Sequence, residues 1–512
     1  MSRTVRTLQT VSLALLGCHA IGQATTETAR HSYTIGPETT IVSGPVNGDG
    51  TINYVQVIND VLSKGVTPEN NAAIPLLRAT TNSANLQFME GVTRELKVTV
   101  DEGDGLMSLE NFAAQRQVAP LPPVDSEALD KQYRTCRATP WKATDYPVVA
   151  EWLAHSERAF TLLDAACKRD RCFVPWVSKS SPPIWYDALP PLTMFRQAGD
   201  ALVMRAMLNA GEGRLADSLA DIKRARTLAR FCAQQHTDVS MLVAVATENV
   251  ALRGYEGLVT SGTLNGADLK RVREELTALR PLPTLAQSDD IEQFIGLDLA
   301  MTWVRGDYQR IIRPAAGILD QSVIINTGDL PKIDGDEFLR AVRREVAESE
   351  RRNSLPFAQQ MRVEDERIKE AATEQIPEAF SFGDDNSGGI KDVERFLVIR
   401  PGESKADFTR RIARWCVAGW PDIEKRMYKL IVRGAIEREI ALLVVSLAEY
   451  RLVHGQYPNA LDALGGRVLQ DTMSGGDVVY RREEDGYVLY SVGLNQKDDG
   501  GTGDDLPVRA ER

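Results

Sequence analysis

Apolar residues recur at helical spacing through most of the segment 146–279. Steps of three, four and seven residues place one set of them on a single helical stripe. This set is Val149, Trp152, Leu153, Phe160, Leu163 and Ala166. Pro182 and Pro190 interrupt the pattern, because proline ends or kinks a helix. The pattern predicts a mainly α protein in which connections join packed helices.

Two predicted helices meet at Gly211 and Gly213. Small residues stand where two packed helices approach each other, and these are Ala206, Ser218 and Ala225. On these residues the stretch 201–228 resembles one tetratricopeptide-type helix pair, with Gly213 in the turn. The next segment, 238–258, is helical but does not keep that family's period of about 34 residues. The resemblance implies a helical-hairpin array, and an ordinary helical bundle stays open as the alternative.

Weaker patterns occupy the rest of the chain before residue 400. Residues 25–50 are polar and rich in turn residues, which predicts an exposed leader. Apolar residues at spacing four predict a helix between 54 and 62. Thr67-Pro68-Glu69 has the residue types of a helix start, so we expect a helix from there to about residue 79, kinked at Pro75. Further helices are predicted at 291–304 and 337–352, and a solvated helix face is predicted for Glu364, Glu366 and Glu370.

The segment 422–454 carries a long helical pattern of apolar residues at spacings of three and four. It stops before Gly455, and Pro458 follows, which is a normal helix exit. A short helix is predicted at 459–464. Two strands and the turn between them complete the pattern, and these are 478–482, Asp485-Gly486 and 487–492. The pattern predicts a small α+β C-terminal domain made of a long helix and a β-hairpin.

This order of elements resembles the soluble domain of the type II secretion major pseudopilin. The residues that carry the resemblance are Ala448-Glu449-Tyr450-Arg451, Gly455-Gln456-Tyr457-Pro458, Leu461, Leu464, Tyr480, the run 486–493 and the tail 500–505. A pseudopilin begins with a methylated membrane helix. Here the matching segment is 401–512, and hundreds of residues precede it instead. The resemblance implies a link to a secretion or pilus-like apparatus. The layout of leader, helical region and pseudopilin-like tail also looks like a group of exported bacterial proteins.

The resemblance further implies a calcium site, because the loop after the last strand binds calcium in that family. Ca²⁺ takes about six to eight oxygen ligands, and a glycine-rich turn lets carboxylates and carbonyls converge. The candidate ligands are Asn495, Asp498, Asp499, Thr502, Asp504 and Asp505. Their spacing is not that of an EF-hand, so a solvated acidic tail is the alternative interpretation.

The N-terminus has the layout of a signal peptide. Two arginines precede an apolar stretch at 11–17 that is too short to span a bilayer, and small residues follow as far as Ala24. Residues 1–24 are therefore predicted to be removed. Leu15-Leu16-Gly17-Cys18 is also lipobox-like, and that alternative places a lipid on Cys18. No other apolar stretch of the sequence is long enough to cross a membrane, so we expect a periplasmic or secreted protein, or one anchored by that lipid.

Five cysteines follow the predicted leader, and these are Cys136, Cys167, Cys172, Cys232 and Cys416. An exported compartment permits disulfides. Cys167 and Cys172 have a spacing that allows a local bridge, Cys136 is an alternative partner for either, and buried unpaired thiols are the third interpretation. Because the count is odd, at least one thiol is predicted to be unpaired, and Cys416 is our candidate.

Composition excludes some classes of function. The 512-residue chain carries 60 Lys and Arg against 71 Asp and Glu, a net charge of −11, which argues against bulk nucleic-acid binding. Five His and six Cys argue against a metal enzyme rich in these ligands. The sequence has no Walker loop, no HExxH motif, no nucleophile elbow and no dinucleotide fingerprint.

The predicted organisation has four parts, and these are a signal peptide at 1–24, a helical segment and linker at 25–145, a tetratricopeptide-like helical region at 146–400 and a pseudopilin-like domain at 401–512. We expect an exported, non-enzymatic interaction or scaffold protein that binds a protein partner. A component of a secretion or pilus apparatus is one alternative. An enzyme whose site cannot be read from the sequence is the other.

Overall fold

The computed structural model of the protein describes residues 33–82, 85–101, 105–115, 125–284, 289–307, 309–310, 333–373, 397–418, 421–465, 469–505 and 507–510. The predicted signal peptide and Cys18 lie outside these residues. The described chain is mainly helical and has a small three-stranded antiparallel sheet near its C-terminus. The predicted fold class is therefore confirmed.

The described residues form helices and strands that are numbered in chain order. The helices are α1 (Tyr54–Leu62), α2 (Ala73–Thr80), α3 (Leu86–Glu95), α4 (Leu109–Gln115), α5 (Ser126–Ala138), α6 (Pro147–His155), α7 (Glu157–Cys167), α8 (Trp185–Ala188), α9 (Thr193–Gly211), α10 (Leu215–Ala233), α11 (Asp238–Thr260), α12 (Gly266–Ala278), α13 (Asp289–Arg305), α14 (Gly335–Asn353), α15 (Phe357–Thr373), α16 (Lys405–Ala418) and α17 (Pro421–His454). A 3₁₀ turn at Leu461–Leu464 precedes the strands β1 (Val479–Arg482), β2 (Tyr487–Tyr490) and β3 (Val508–Ala510).

The chain forms two compact units, and each is assembled from three separated segments. The first unit contains the described residues of 1–64, 175–190 and 285–425. The second unit contains those of 65–174, 191–284 and 426–512. The second unit therefore holds most of α17 and the whole sheet together with helices from earlier in the chain.

The core of the first unit forms where α13 packs against α1, α14 and α16. The ring of Trp303 lies 6.4 Å from that of Phe338 and 5.9 Å from that of Trp415, measured between centroids. The loop before α1 joins this core, because Asp49 forms a 3.2 Å ion pair with the buried Arg305. The expectation of an exposed leader is wrong for part of this loop: Thr40 is buried and its carbonyl accepts a hydrogen bond from the Tyr54 hydroxyl.

Glu364 on α15 corrects the expectation of a solvated helix face. The residue is 2% exposed, and its carboxylate forms ion pairs with Arg352 of α14 and with Arg367. A carboxylate can be buried when it is paired in this way. Glu366 and Glu370 are exposed, as predicted.

The hairpin of α9 and α10 organises the second unit, and α11 packs against both helices. The predicted contact residues Ala206, Ser218 and Ala225 are fully buried. Gly213 adopts a φ of 79° in the turn, a conformation that glycine reaches without strain. The α11 helix then begins with a capping box, in which the Thr237 and Ser240 side chains accept each other's backbone N–H.

The predicted helix start at Thr67 is wrong, because α2 begins at Ala73. Thr67 and Asn70 instead form a turn in which each side chain accepts the other's backbone N–H. Pro75 therefore lies in the first turn of a later helix. A proline there removes no intrahelical hydrogen bond, so no kink is required.

The C-terminal elements agree closely with the sequence pattern. The α17 helix ends at His454, and the Gly455 N–H donates to the Arg451 carbonyl with φ at 75°. The β1 and β2 strands pair from Val479 opposite Tyr490 to Arg482 opposite Tyr487. The β3 strand, which was not predicted, pairs with β2, so the sheet order is β1-β2-β3. Every residue of β2 is buried.

The α17 helix contacts both α11 and α12 of the second unit. A salt bridge joins Arg253 of α11 to Glu437, with 2.9 Å between Nη2 and Oε2. Arg273 of α12 binds Glu449 through two nitrogens, at 3.2 Å and 2.6 Å. The C-terminal segment is thus part of the second unit's packing.

The described cysteines are free thiols, and these are Cys136, Cys167, Cys172, Cys232 and Cys416. Of the interpretations that the sequence left open, the described residues show buried or half-buried unpaired thiols. Burial raises the pKa of Cys136 and of Cys167 to about 12, so both are protonated at neutral pH.

Candidate metal centre

The segment between β2 and β3, residues 491–507, contains all six predicted ligands and is called the Asp loop. Gly500, Gly501 and Gly503 have φ of 71°, 75° and 60°, which side-chain-bearing residues adopt only with strain. In this conformation the Gly500 N–H donates to Asp498 and the Gly501 N–H donates to Asp505. The sequence can form this loop because glycine stands at each of these positions.

Asp505 is the centre around which the Asp loop folds. It is 3% exposed, and its carboxylate accepts three backbone N–H groups. These come from Gly493 at 2.8 Å, Asp499 at 2.9 Å and Gly501 at 3.1 Å. Hydrogen bonds of this kind stabilise a buried carboxylate without a positively charged side chain.

Three carboxylates converge at one side of the Asp loop. One oxygen each of Asp499, Asp504 and Asp505 lies within 4.8 Å of the others. Asp499 is exposed, Asp504 is half-buried and Asp505 is buried, so the cluster opens towards solvent at Asp499. Three like charges at this separation repel each other unless protons or a cation neutralise them.

Asp504 has one oxygen to spare. Its Oδ2 accepts the backbone N–H of Asn495 at 3.0 Å. Its Oδ1 is buried and has no hydrogen-bond partner among the described residues. Gly493 makes room for this oxygen, because a Cβ at position 493 would lie 2.1 Å from Oδ1.

The other three predicted ligands are not part of the three-carboxylate cluster. Asp498 accepts the Tyr490 hydroxyl and the Gly500 N–H, each at 2.8 Å, and these bonds hold the pKa of Asp498 below its usual range. The Asn495 side-chain oxygen accepts the Lys497 N–H, and its amide donates to Asp499. The Thr502 hydroxyl donates to the Asp499 carbonyl at 2.6 Å. These residues shape the Asp loop around the cluster.

The donor set of the cluster fits a hard cation. All three side chains offer carboxylate oxygens, which are ligands that Ca²⁺ and Mg²⁺ prefer, while Zn²⁺ sites are usually completed by His or Cys. The Asp504 Oδ1 oxygen has no hydrogen-bond donor among the described residues, so a cation bound to it would break no hydrogen bond of that oxygen. The residues present therefore fit the calcium ion that the pseudopilin resemblance implies.

Two cationic side chains of α17 bond to the backbone of the Asp loop. The Lys429 ammonium donates to the Leu494 carbonyl at 2.7 Å, and Arg433 Nη1 donates to the Asp504 carbonyl at 3.0 Å. Arg433 is 5% exposed, and its Nε lies 3.3 Å from Glu437 Oε1. The loop backbone is thus bonded to the same helix at two places.

A buried charge network continues from Arg433 to α11. Glu437 also binds Arg253, whose other terminal nitrogen lies 2.9 Å from Glu256 Oε2. Glu256 is 3% exposed. Burial raises the pKa of Glu256, Arg253 opposes this rise, and Glu437 adds to it. The network combines two guanidinium groups and two carboxyl groups, so it is close to neutral when both carboxyls are ionised.

The sequence interpretation missed Asp471, which bonds to residues at the start of the Asp loop. This carboxylate is fully buried and accepts the N–H groups of Met473 and Val492 together with the hydroxyls of Ser474 and Ser491. A local signal exists, since Asp471 stands shortly before Ser474-Gly475-Gly476, and such a combination is typical of a turn in which the Asp side chain accepts backbone amides. The bonds to residues at the end of β2 have no local signal.

Comparison of the chain with protein-family models, with curated proteins and with solved structures finds no match. The likeness to the tetratricopeptide and pseudopilin families rests on the residues quoted for it. Among the helices of the described residues, none combines the length and the apolar character that crossing a bilayer requires.

Proposed function

We propose that the protein is an exported, non-enzymatic interaction or scaffold protein whose C-terminal Asp loop binds calcium. The observation that carries the calcium proposal is the cluster of Asp499, Asp504 and Asp505, with the Asp504 Oδ1 oxygen buried and without a hydrogen-bond donor among the described residues. Calcium supplies the positive charge that this cluster lacks. The expected consequence is a more stable Asp loop and sheet, because a ligand that binds only the folded state stabilises it by mass action.

The scaffold proposal is supported by the way α17 is packed. A subunit that assembled into a pilus through its long helix would need a free face on that helix. In this chain α17 contacts α11 through Arg253–Glu437 and α12 through Arg273–Glu449. These contacts favour a role in which the C-terminal elements complete the second unit. The helical hairpin of α9 and α10 is then the part that resembles known protein-docking repeats.

A secretion or pilus apparatus component is the second candidate. It is favoured by the order of long helix, 3₁₀ turn, hairpin and Asp loop, which follows the pseudopilin order. It is also favoured by two exposed apolar residues at the end of α17: Leu452 is 54% exposed and Val453 is 78% exposed. Polar replacements at these two positions test it, because loss of secretion or pilus assembly in cells would separate this candidate from the first.

The calcium proposal is tested by titrating the chelator-treated full-length chain with calcium and following heat of binding and thermal unfolding. We expect saturable binding at one site and a higher melting temperature in calcium. Magnesium should bind more weakly, because it demands a tighter octahedral shell than an irregular loop offers.

Two substitutions with the same change of charge make the test specific. Asp504→Asn should abolish the calcium-dependent rise in melting temperature. Asp498→Asn, in the same loop but turned towards Tyr490, should keep it. Equal melting temperatures with calcium and with chelator, and no effect of Asp504→Asn, would reduce the loop to a solvated acidic tail. For the interaction role, capture from the native cell envelope should retain a partner in calcium and lose it with Asp504→Asn.

A further inference from the structure

Lys429 and Arg433 lie one helical turn apart on α17 and bond to carbonyl groups near the two ends of the Asp loop. Lys429 binds the Leu494 carbonyl, and Arg433 binds the Asp504 carbonyl. The segment between these carbonyls carries Asp499, and the second of them belongs to Asp504 itself. One helix face therefore sets the distance between the two ends of the segment that presents the carboxylates.

The Arg433 guanidinium has little freedom to turn away. It is 5% exposed and lies 3.3 Å from Glu437 Oε1, and Glu437 is itself held by Arg253 at 2.9 Å. Moving Arg433 would leave Glu437 buried with one partner fewer, which is costly for a charged group. The network therefore fixes the donor that bonds to Asp504.

The hydrogen bonds from Lys429 and Arg433 oppose the repulsion between the three carboxylates. Without a cation, Asp499, Asp504 and Asp505 repel each other, and a glycine-rich loop opens easily under such a force. The α17 cations reach the backbone carbonyls and leave the Asp504 Oδ1 oxygen without a donor among the described residues. They hold the loop and do not take the place of the cation.

We propose that Lys429 and Arg433 are positioning residues that hold the Asp loop in its cation-binding conformation before a cation arrives. This inference rests on the proposed calcium function. It adds that the site is preformed, and that its affinity depends on two residues that do not touch the ion. Groups that orient metal ligands without touching the metal typically change its affinity by about 10- to 100-fold when they are removed.

The sign of the effect separates positioning from simple electrostatics. A positive charge near a cation site repels the ion, so its removal alone would tighten binding. If the two residues position the loop, their removal weakens binding despite the lost repulsion. We therefore expect Lys429→Met and Arg433→Met each to raise the calcium Kd by about tenfold or more. Arg433→Lys, which retains a cationic donor, should recover part of that loss.

The experiment measures calcium binding by calorimetry and hydrogen exchange of the metal-free chain. In the metal-free variants, the Asp499 and Gly501 amides, which donate to Asp505, should exchange faster than in wild type. Amides of α9 and α10 should be unchanged, and they report whether the chain is still folded. Arg438→Met is the matched control, because Arg438 is on the same helix and pairs with Glu439.

The outcomes are distinguishable. Weaker binding with faster loop exchange in both Met variants, and neither in Arg438→Met, supports the inference. Unchanged or tighter binding in both Met variants overturns it and leaves the calcium function standing. A wild-type chain that does not bind calcium overturns both proposals together. Arg433→Met removes a partner of the buried Glu437, so this variant could fail to fold for a reason unrelated to the loop. In that case the result for Lys429→Met decides whether the inference stands.

Discussion

Gly434 of α17 lies against Val245 of α11, so closely that a Cβ at position 434 would stand 2.5 Å from Val245 Cγ1. The two helices can approach to this distance because position 434 has no side chain. Gly434 follows Arg433, which bonds to the end of the Asp loop, and precedes Glu437 and Glu449, which pair with arginines of α11 and α12. The close contact at Gly434 thus lies directly beside a residue that bonds to the candidate metal centre.

This contact predicts that Gly434→Ala changes the unfolding free energy in opposite directions in two backgrounds. Gly434→Ala adds helix propensity of about 1 kcal/mol, but overpacking a close contact costs about 1–3 kcal/mol, so the net effect should be destabilising. In a chain that already carries Val245→Ala, the clash is absent and Gly434→Ala should stabilise. Denaturant unfolding of the four chains measures this. A stabilising Gly434→Ala in the wild-type background would contradict the close contact.

Ser218 offers a second test of helix packing, at the α9–α10 hairpin. Its side chain is fully buried, and its hydroxyl has no hydrogen-bond partner among the described residues. Ser218→Ala should therefore be neutral or stabilising, because it removes an unsatisfied buried group. Ser218→Trp should lower the unfolding free energy by about 1–3 kcal/mol or more, because the fully buried site has no room for a large ring. Thermal unfolding of both variants checks the prediction, and equal melting temperatures would show that the site is not tightly packed.

The N-terminal prediction is tested on protein from its native host. Mature material should lack residues 1–24, because the charged, apolar and small-residue regions follow in the order of a signal peptide. N-terminal sequencing that begins at Thr25 supports ordinary cleavage, and a lipid-bearing Cys18 in the mass spectrum selects the lipobox alternative. Met1 retained and unmodified would remove the basis for an exported protein.

Local periodicity was enough to predict the elements that depend on neighbouring residues. The α17 exit at Gly455 and the hairpin turn at Asp485-Gly486 were found because each has its own turn residues. The β3 strand was missed, since three residues carry no detectable alternation. The start of α2 was misplaced because Thr67 and Asn70 use their side chains to form a turn instead of a cap.

Long-range pairs could not be predicted in the same way. Asp49 pairs with Arg305, and the buried Glu364 pairs with Arg352 and Arg367. The residues next to Asp49 and Glu364 in the sequence indicate only solvated charges. The same limit applies to the candidate metal centre. The pseudopilin resemblance implied a site in the Asp loop, but only the fold shows that Asp505 accepts backbone amides while Asp504 keeps an oxygen without a donor among the described residues. Which carboxylates converge depends on backbone conformation at three glycines.

Glu256 predicts how stability depends on pH. Burial raises the pKa of its carboxyl from 4.5 to about 7, against the opposing effect of Arg253. The charged and titratable groups around it are Arg253 on α11, Glu437 on α17 and Tyr487 on β2. Because the folded state binds this proton more tightly than the unfolded state, the contribution to stability is full below about pH 4.5 and is lost as the pH rises to about 7.

The loss can reach about 1.4 kcal/mol per pH unit within that window. Glu256→Gln imitates the neutral carboxyl, so it should remove this part of the pH dependence and stabilise the chain at about pH 7.5 relative to wild type. Glu439→Gln is the control for a general effect of charge. It removes the charge of a half-buried carboxylate that pairs with Arg438. Denaturant midpoints of the three chains at about pH 5.5 and about pH 7.5, all in chelator, provide the measurement. A wild-type chain whose midpoint falls no more steeply than that of Glu256→Gln would mean that Glu256 is ionised throughout, and that Arg253 outweighs the effect of burial.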